Sequence, residues 1–223
     1  NSPSNPSGRV LPPAQFRRIM ELAFERGIYV VSDECYLRFV YPPGEVFSAA
    51  SLPAELRARL CIAGSFSKTY AMTGWRLGYA LAPAEWTKAM LKVQGHSTSN
   101  ANSIAQWAAV EALTGPQESV GIMLSEYTRR RAWLLNALGE IPGFKCSEPE
   151  GAFYAFPNVR GCLNKGLKTS GEFAQRLLEE EQVVVTDGAG FGAEGFVRIS
   201  YATSMEQIEE GVKRIKRFAE KHS

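Results

Sequence analysis

Histidine is scarce in this 223-residue chain, with only two copies, and the four cysteines, Cys35, Cys61, Cys146 and Cys162, form no CxxC pair and have no histidine set beside them. Zinc ligation and a disulfide framework are both disfavoured, so no metal site is expected, and the cysteine usage fits a reducing cytoplasm. Long apolar runs are missing as well. No stretch approaches the roughly 20 residues of a membrane span and no charged-then-apolar leader opens the chain, so no membrane association is expected. Nor is there an excess of one charge: 25 basic residues face 23 acidic ones, for a net +2. The basic clusters at Arg129–Arg131 and between Lys213 and Lys221 interleave with apolar positions, as solvated helix faces do, and nucleic acid is not expected as a partner. There is no internal repeat and no low-complexity tract.

What is present is ample core material. A hydrophobic content of 45% in a chain of this length supports one large domain, or one and a half smaller ones. The sequence opens on Asn1 rather than Met, within what reads as a functional loop, and an N-terminal portion is expected to be missing.

The spacing of residues predicts an alternating order. Residues 1–13 hold four prolines and a glycine, a loop composition. Phe16, Ile19, Met20 and Ala23 recur at helical spacing up to Gly27, a candidate C-cap, and Ile28–Val31 then reads as a short, doubly buried strand ending at Ser32-Asp33. A second apolar run, Leu60–Ala63, ends at Gly64-Ser65-Phe66-Ser67-Lys68, and a third candidate strand covers Leu77–Leu81. Helices are predicted at about 84–94, 103–113 and 117–140, with a domain boundary near 115–120. Short strands follow near 145–147 and 152–156, then a helix at 170–180, a strand at 182–185, a glycine-rich loop from Asp187 to Gly195, a strand at 196–201 and a closing helix from Met205. Ser204 and Gln207 resemble a capping box, and Ile208, Val212, Ile215 and Ala219 form an apolar stripe on that last helix.

Polar residues gather at the carboxyl ends of the first two strands, where open α/β sheets bind ligands. Lys68, just past a buried strand, is placed to lose solvent and act as a Schiff-base amine, or is an ordinary loop lysine. Asp33 either partners a cationic group such as a protonated pyridine nitrogen, or is a helix cap or a surface aspartate. Arg76, in Thr73-Gly74-Trp75-Arg76-Leu77-Gly78-Tyr79, suits a phosphate with Ser65 as second donor, or a structural ion pair. Arg198, inside the otherwise apolar Phe196–Tyr201 run, demands an anion, either a substrate carboxylate or an internal Asp or Glu.

Taken together, Asn5-Pro6-Ser7-Gly8, Asp33-Glu34-Cys35-Tyr36, Ser65-Phe66-Ser67-Lys68-Thr69 and Phe196-Val197-Arg198-Ile199-Ser200-Tyr201 resemble the class I aminotransferases of pyridoxal-phosphate fold type I. Ser97-Thr98-Ser99-Asn100 to Gln106-Trp107-Ala108 and Pro149-Glu150-Gly151-Ala152-Phe153-Tyr154 bring the likeness nearest to bacterial aspartate aminotransferases. The resemblance implies an α/β fold. Residues 1–116 would supply an incomplete, mostly parallel sheet of the large, cofactor-binding domain, and residues 117–223 a connecting helix and a small α+β C-terminal domain. It implies pyridoxal 5'-phosphate as cofactor and transfer of an amino group from an L-amino acid, aspartate first, to 2-oxoglutarate in a cytoplasmic homodimer. Lys68 would carry the cofactor and shuttle a proton, Asp33 would meet the pyridine nitrogen and Tyr36 the phenolic oxygen. Asn5 would bond that oxygen and help hold the substrate, Ser65 and Arg76 would take the phosphate, and Arg198 would clamp the α-carboxylate.

The glycine-rich phosphate loop and ring-stacking aromatic that precede the Asn-Pro motif in such enzymes are not in these residues. The stretch Lys92-Val93-Gln94-Gly95-His96 holds no arginine for a distal carboxylate, which leaves an aromatic or broad-specificity aminotransferase as the nearest rival. An aminotransferase-like sensor domain of a transcription regulator is another alternative, and a fragment with an incomplete site and an exposed sheet edge is a third.

Overall fold

The computed structural model describes residues 1–164 and 166–222. The chain divides into two compact units: residues 1–4 with 9–122, and residues 5–8 with the chain from Met123 onward.

In the first unit, α1 (Pro13–Glu25) starts on a proline, whose fixed φ suits the first helical position, and is followed by Gly27 at φ +66°, the left-handed residue that commonly ends a helix. Next come β1 (Val30–Asp33), the short α2 (Ala54–Arg57), β2 (Leu60–Ser65), the single turn α3 (Phe66–Thr69), β3 (Gly78–Leu81), α4 (Ala84–Ser97) and α5 (Ser103–Thr114). The sheet runs β1-β2-β3. β1 is parallel to β2, with Val30 opposite Leu60 and Asp33 opposite Ala63, and β3 is antiparallel to β2, with Ser65 opposite Gly78.

The first strand lies two residues later than the apolar run Ile28–Val31 predicts. Ile28 and Tyr29 are exposed, and pairing begins only where the Val30 N–H donates to the Arg59 carbonyl. Double burial is not observed either: Val31 is 63% exposed and β3 is exposed along its length, because no element among the described residues covers those side chains. The central strand β2 is the buried one. Leu60 and Ile62 pack with Met20, Ala49, Leu52 and Leu56, and a second cluster joins Phe66, Met72 and Leu77 to Ala105 and Ala109 of α5. Each large side chain so buried contributes about 1.5–3 kcal/mol, and the second cluster anchors the turn that carries Lys68.

The division between the units falls inside α6 (Glu118–Gly139), after Ile122. The second unit continues with β4 (Tyr154–Ala155), α7 (Ser170–Glu181), β5 (Thr186–Asp187), β6 (Val197–Ser200) and α8 (Met205–His222). Its sheet, ordered β4-β6-β5, is antiparallel throughout, with Tyr154 opposite Ser200 and Thr186 opposite Arg198. On α8 the stripe Ile208, Val212, Ile215 and Ala219 is buried as its period requires, and Phe218 meets Phe173 of α7 edge to face with ring centroids 5.2 Å apart. The strand expected at 182–185 appears instead at Thr186–Asp187, since Gln182 takes a left-handed conformation to end α7 and the chain runs on before pairing. The strand expected at 145–147 reduces to a single bridge between Lys145 and Asn158. No helix among the described residues is long and apolar enough to cross a membrane.

Candidate active site

Because β1 and β2 are parallel, their carboxyl ends lie at one edge of the sheet, and the first unit gathers its polar residues there. Asp33 ends β1. Its Oδ1 accepts the Cys35 N–H at 3.0 Å in a local turn, and no Lys, Arg or His among the described residues forms an ion pair with it. Glu34 is buried and points elsewhere, accepting the Ser48 hydroxyl and the Ala49 N–H, both at 2.7 Å, so the strand end is fastened by one carboxylate while the other stays available. Tyr36 is buried in the turn that follows, its carbonyl accepting the Phe39 N–H at 2.8 Å.

Ser65 ends β2 and caps α3, its Oγ accepting the Ser67 N–H at 3.0 Å. Phe66 and Thr69 are the buried positions of that turn, which leaves Lys68 half-buried. The thiol of Cys35 responds to these groups. Burial pushes its pKa up, a hydrogen bond with Ser65 opposes this, and Asp33 and Lys68 act on it with opposite signs. Sequence reading assigned Cys35 no part; the quoted motif contained it, but only the fold sets it beside Ser65.

Tyr79 was also passed over. It lies opposite Gly64 in the β2–β3 ladder, and its ring covers that residue so closely that any Cβ there would overlap it, which is why position 64 needs glycine. Burial raises the Tyr79 phenol pKa, with Glu34, Tyr70 and Cys35 adding to it. Arg76 is exposed and left-handed (φ +53°), and its guanidinium donates to the Thr73 carbonyl at 3.0 Å. The Thr73 hydroxyl donates in turn to the Ser67 carbonyl at 3.0 Å, folding the Arg76 loop back onto α3. The described bond of Arg76 is to this loop and not to Ser65.

In the second unit the Asn5–Gly8 turn docks through the Gly8 carbonyl, which accepts the N–H groups of Glu150 and Gly151, both at 2.8 Å. There Asn5 Oδ1 accepts from Arg198 Nη1 at 2.7 Å, and Arg198 Nη2 donates to Thr186 Oγ1 at 3.1 Å. The guanidinium carbon sits 4.7 Å from the Tyr154 ring centroid and 5.3 Å from that of Phe191. Of the two partners open to Arg198 from sequence, an internal carboxylate is not the one found: its described partners are neutral, and its buried Nε has none. Asn5 and Arg198 are brought together as a pair; Thr186, Phe191 and Tyr154 join them without having been singled out, although Phe191 lies in the glycine-rich loop and Tyr154 in a quoted motif.

No group of three or more His, Cys, Asp or Glu among the described residues is arranged to hold a metal ion. A lysine one turn past a parallel strand, an acceptor carboxylate at the neighbouring strand end, and a separate small α+β unit built around an arginine form the architecture of the fold type I transferases. Comparison with known proteins narrows this. The model of the family "Aminotransferase class I and II" matches residues 1–215. The aspartate aminotransferase of Geobacillus stearothermophilus is 44% identical over 221 residues, which are 99% of this chain and 56% of that protein. Among solved structures, the aspartate aminotransferase from Rhizobium meliloti matches with a TM-score of 0.94 at 40% identity, covering 100% of this chain and 57% of its own. An aromatic aminotransferase from Pyrococcus horikoshii matches with a TM-score of 0.92 at 39% identity, covering 99% of this chain and 59% of its own. The chain belongs to the class I and II aminotransferase family, and it spans little more than half the length of these relatives.

Proposed function

We propose that the protein is a pyridoxal-phosphate-dependent aminotransferase that takes the amino group of L-aspartate and delivers it to 2-oxoglutarate, acting as a cytoplasmic homodimer. The observation that carries this reading is the placement of Asp33 and Ser65 at the carboxyl ends of the parallel strands β1 and β2, with Lys68 in the turn that Ser65 caps. The residues fit the cofactor by their own chemistry: an acceptor carboxylate that no cation among the described residues pairs with, a hydroxyl at a strand end, and an amine in the turn which that hydroxyl caps.

Pyridoxal phosphate, when bound, supplies the electron sink for the pair left on the substrate α-carbon. The remaining work falls to side chains of this chain. Asp33 would keep a proton on the pyridine nitrogen, Tyr36 would donate to the phenolic oxygen, and Ser65 with Arg76 would hold the phosphate. The amine of Lys68 is the general base that takes and returns the proton at the α-carbon. Arg198, backed by Asn5, offers its planar fork to the α-carboxylate, and the rings of Tyr154 and Phe191 keep water from that fork. The choice of aspartate follows the names of the most similar relatives, and 2-oxoglutarate is the acceptor proposed with it.

The test is glutamate formation from L-aspartate and 2-oxoglutarate with added pyridoxal phosphate. Activity that disappears in Lys68→Ala is expected. Glutamate formed equally well without Lys68 would overturn the assignment of that residue, and none from the intact protein would overturn the reading of the chain as an enzyme.

A further inference from the structure

Ser170 is the first residue of α7 and fully buried, yet it makes no part of the site described above. Its N–H donates to Glu194 Oε1 at 2.7 Å. Its hydroxyl lies 2.6 Å from Asp187 Oδ1 and 2.9 Å from Glu194 Oε1, and accepts the Gly195 N–H at 3.1 Å. One buried serine thus grips both ends of the glycine-rich loop 187–195. The hydroxyl has a single proton; the shorter contact assigns it to Asp187, and the N–H of Ser170 serves Glu194.

The loop's own bonds give it a shape. Phe191 N–H and Ala193 N–H both donate to the Gly188 carbonyl at 2.9 Å, and Gly188 N–H donates to the Phe196 carbonyl at 2.8 Å, next to the pairing of Asp187 with Val197. From outside, Ser170 holds it from α7, the Arg160 guanidinium donates to the Glu194 carbonyl, the Val159 N–H donates to the Gly195 carbonyl at 2.8 Å, and the Phe156 ring meets Phe191 edge to face. What the loop carries bears on Arg198. Phe191, at its tip, covers the guanidinium, and Thr186, which accepts from Arg198 Nη2, immediately precedes the gripped Asp187.

We propose that Ser170 is a positioning residue that clasps the 187–195 loop to the start of α7 and so fixes Phe191 and Thr186 around Arg198, setting how tightly a substrate carboxylate is held. This rests on the reading of Arg198 as the carboxylate site, but the clasp itself is a statement about the loop and can be tested apart from it. Removing the hydroxyl frees the loop without touching Arg198, while Asp187→Asn keeps an acceptor for both Ser170 and the Ala189 N–H that Asp187 Oδ1 accepts at 3.1 Å.

The experiment compares wild type, Ser170→Ala, Asp187→Ala and Asp187→Asn of the intact protein by hydrogen exchange over residues 188–195 and by titration with maleate, an unreactive dicarboxylate. Ser170→Ala and Asp187→Ala are expected to speed loop exchange about tenfold or more and weaken maleate about tenfold, with Asp187→Asn close to wild type in both and near-ultraviolet circular dichroism unchanged. Unchanged loop exchange in a folded Ser170→Ala overturns the clasp, and faster exchange with maleate affinity within about twofold of wild type overturns the positioning role of Ser170 at Arg198. If wild type binds no maleate, the carboxylate reading of Arg198 fails, and loop exchange alone then decides whether Ser170 is a clasp. If Ser170→Ala does not fold, the contrast between Asp187→Ala and Asp187→Asn carries the test with the same outcomes.

Discussion

Arg198 shows how much of a site is decided by what a side chain is not paired with. A half-buried guanidinium with only an amide oxygen and a hydroxyl as partners, and an Nε with none, has paid part of its desolvation in advance and gains it back when an anion arrives. Lysine keeps the charge but loses the fork. Arg198→Lys is therefore expected to raise the KM for the amino-acid substrate about 10- to 150-fold, the loss of one charge-assisted hydrogen bond worth about 1.5–3 kcal/mol, with a smaller change in kcat; steady-state kinetics against L-aspartate checks it. A KM unchanged within about twofold would remove Arg198 from the carboxylate site. From sequence, an arginine in an apolar strand announced a buried cation but could not name its partner. The partners that settled it, Asn5 and Thr186, lie far up the chain and on a neighbouring strand. Cys35 was invisible for a related reason: nothing in a lone cysteine says that Ser65 will sit beside it.

At the scale of elements, periodicity revealed those that have enough residues to show a period. The helices α1 and α4 to α8 stand close to where their spacing put them, whereas the two-residue strands β4 and β5 carry no period to read. The docking of the Asn5–Gly8 turn was equally hidden, although Gly8 itself was in plain view. Gly8 has φ +68°, and a Cβ there would overlap Pro149. Gly8→Ala is expected to cost about 2–4 kcal/mol of stability in urea unfolding, combining left-handed strain with overpacking, and to move Asn5 away from Arg198. Between α7 and α8 the ion pairs make a different prediction. Lys221, His222 and Arg176 hold the Glu180 carboxylate well down, to about 2 from an ordinary 4.5. A folded-state pKa below the unfolded one means that the contribution is present above about pH 4.5 and is lost as pH falls towards 2. The melting temperature of wild type should fall more steeply between pH 6 and pH 3 than that of Glu180→Gln, and parallel curves would contradict this.

At the scale of the molecule, four motifs in order were enough to give the family, because each places a different chemistry at a different strand end or turn. What they could not give is how the sheet faces are covered. Val31 and Trp107, the latter 75% exposed, belong to apolar surfaces that no described residue packs on, and the chain spans little more than half the length of the relatives it matches. The central claim is that Lys68 holds pyridoxal phosphate beside Asp33 and Ser65 and works on an amino acid there. The most direct test is the absorption spectrum of the protein with pyridoxal phosphate, before and after L-aspartate, with Lys68→Ala alongside. A cofactor band that requires Lys68 and is converted by L-aspartate is the predicted result; a spectrum that is the same with and without Lys68 would contradict it.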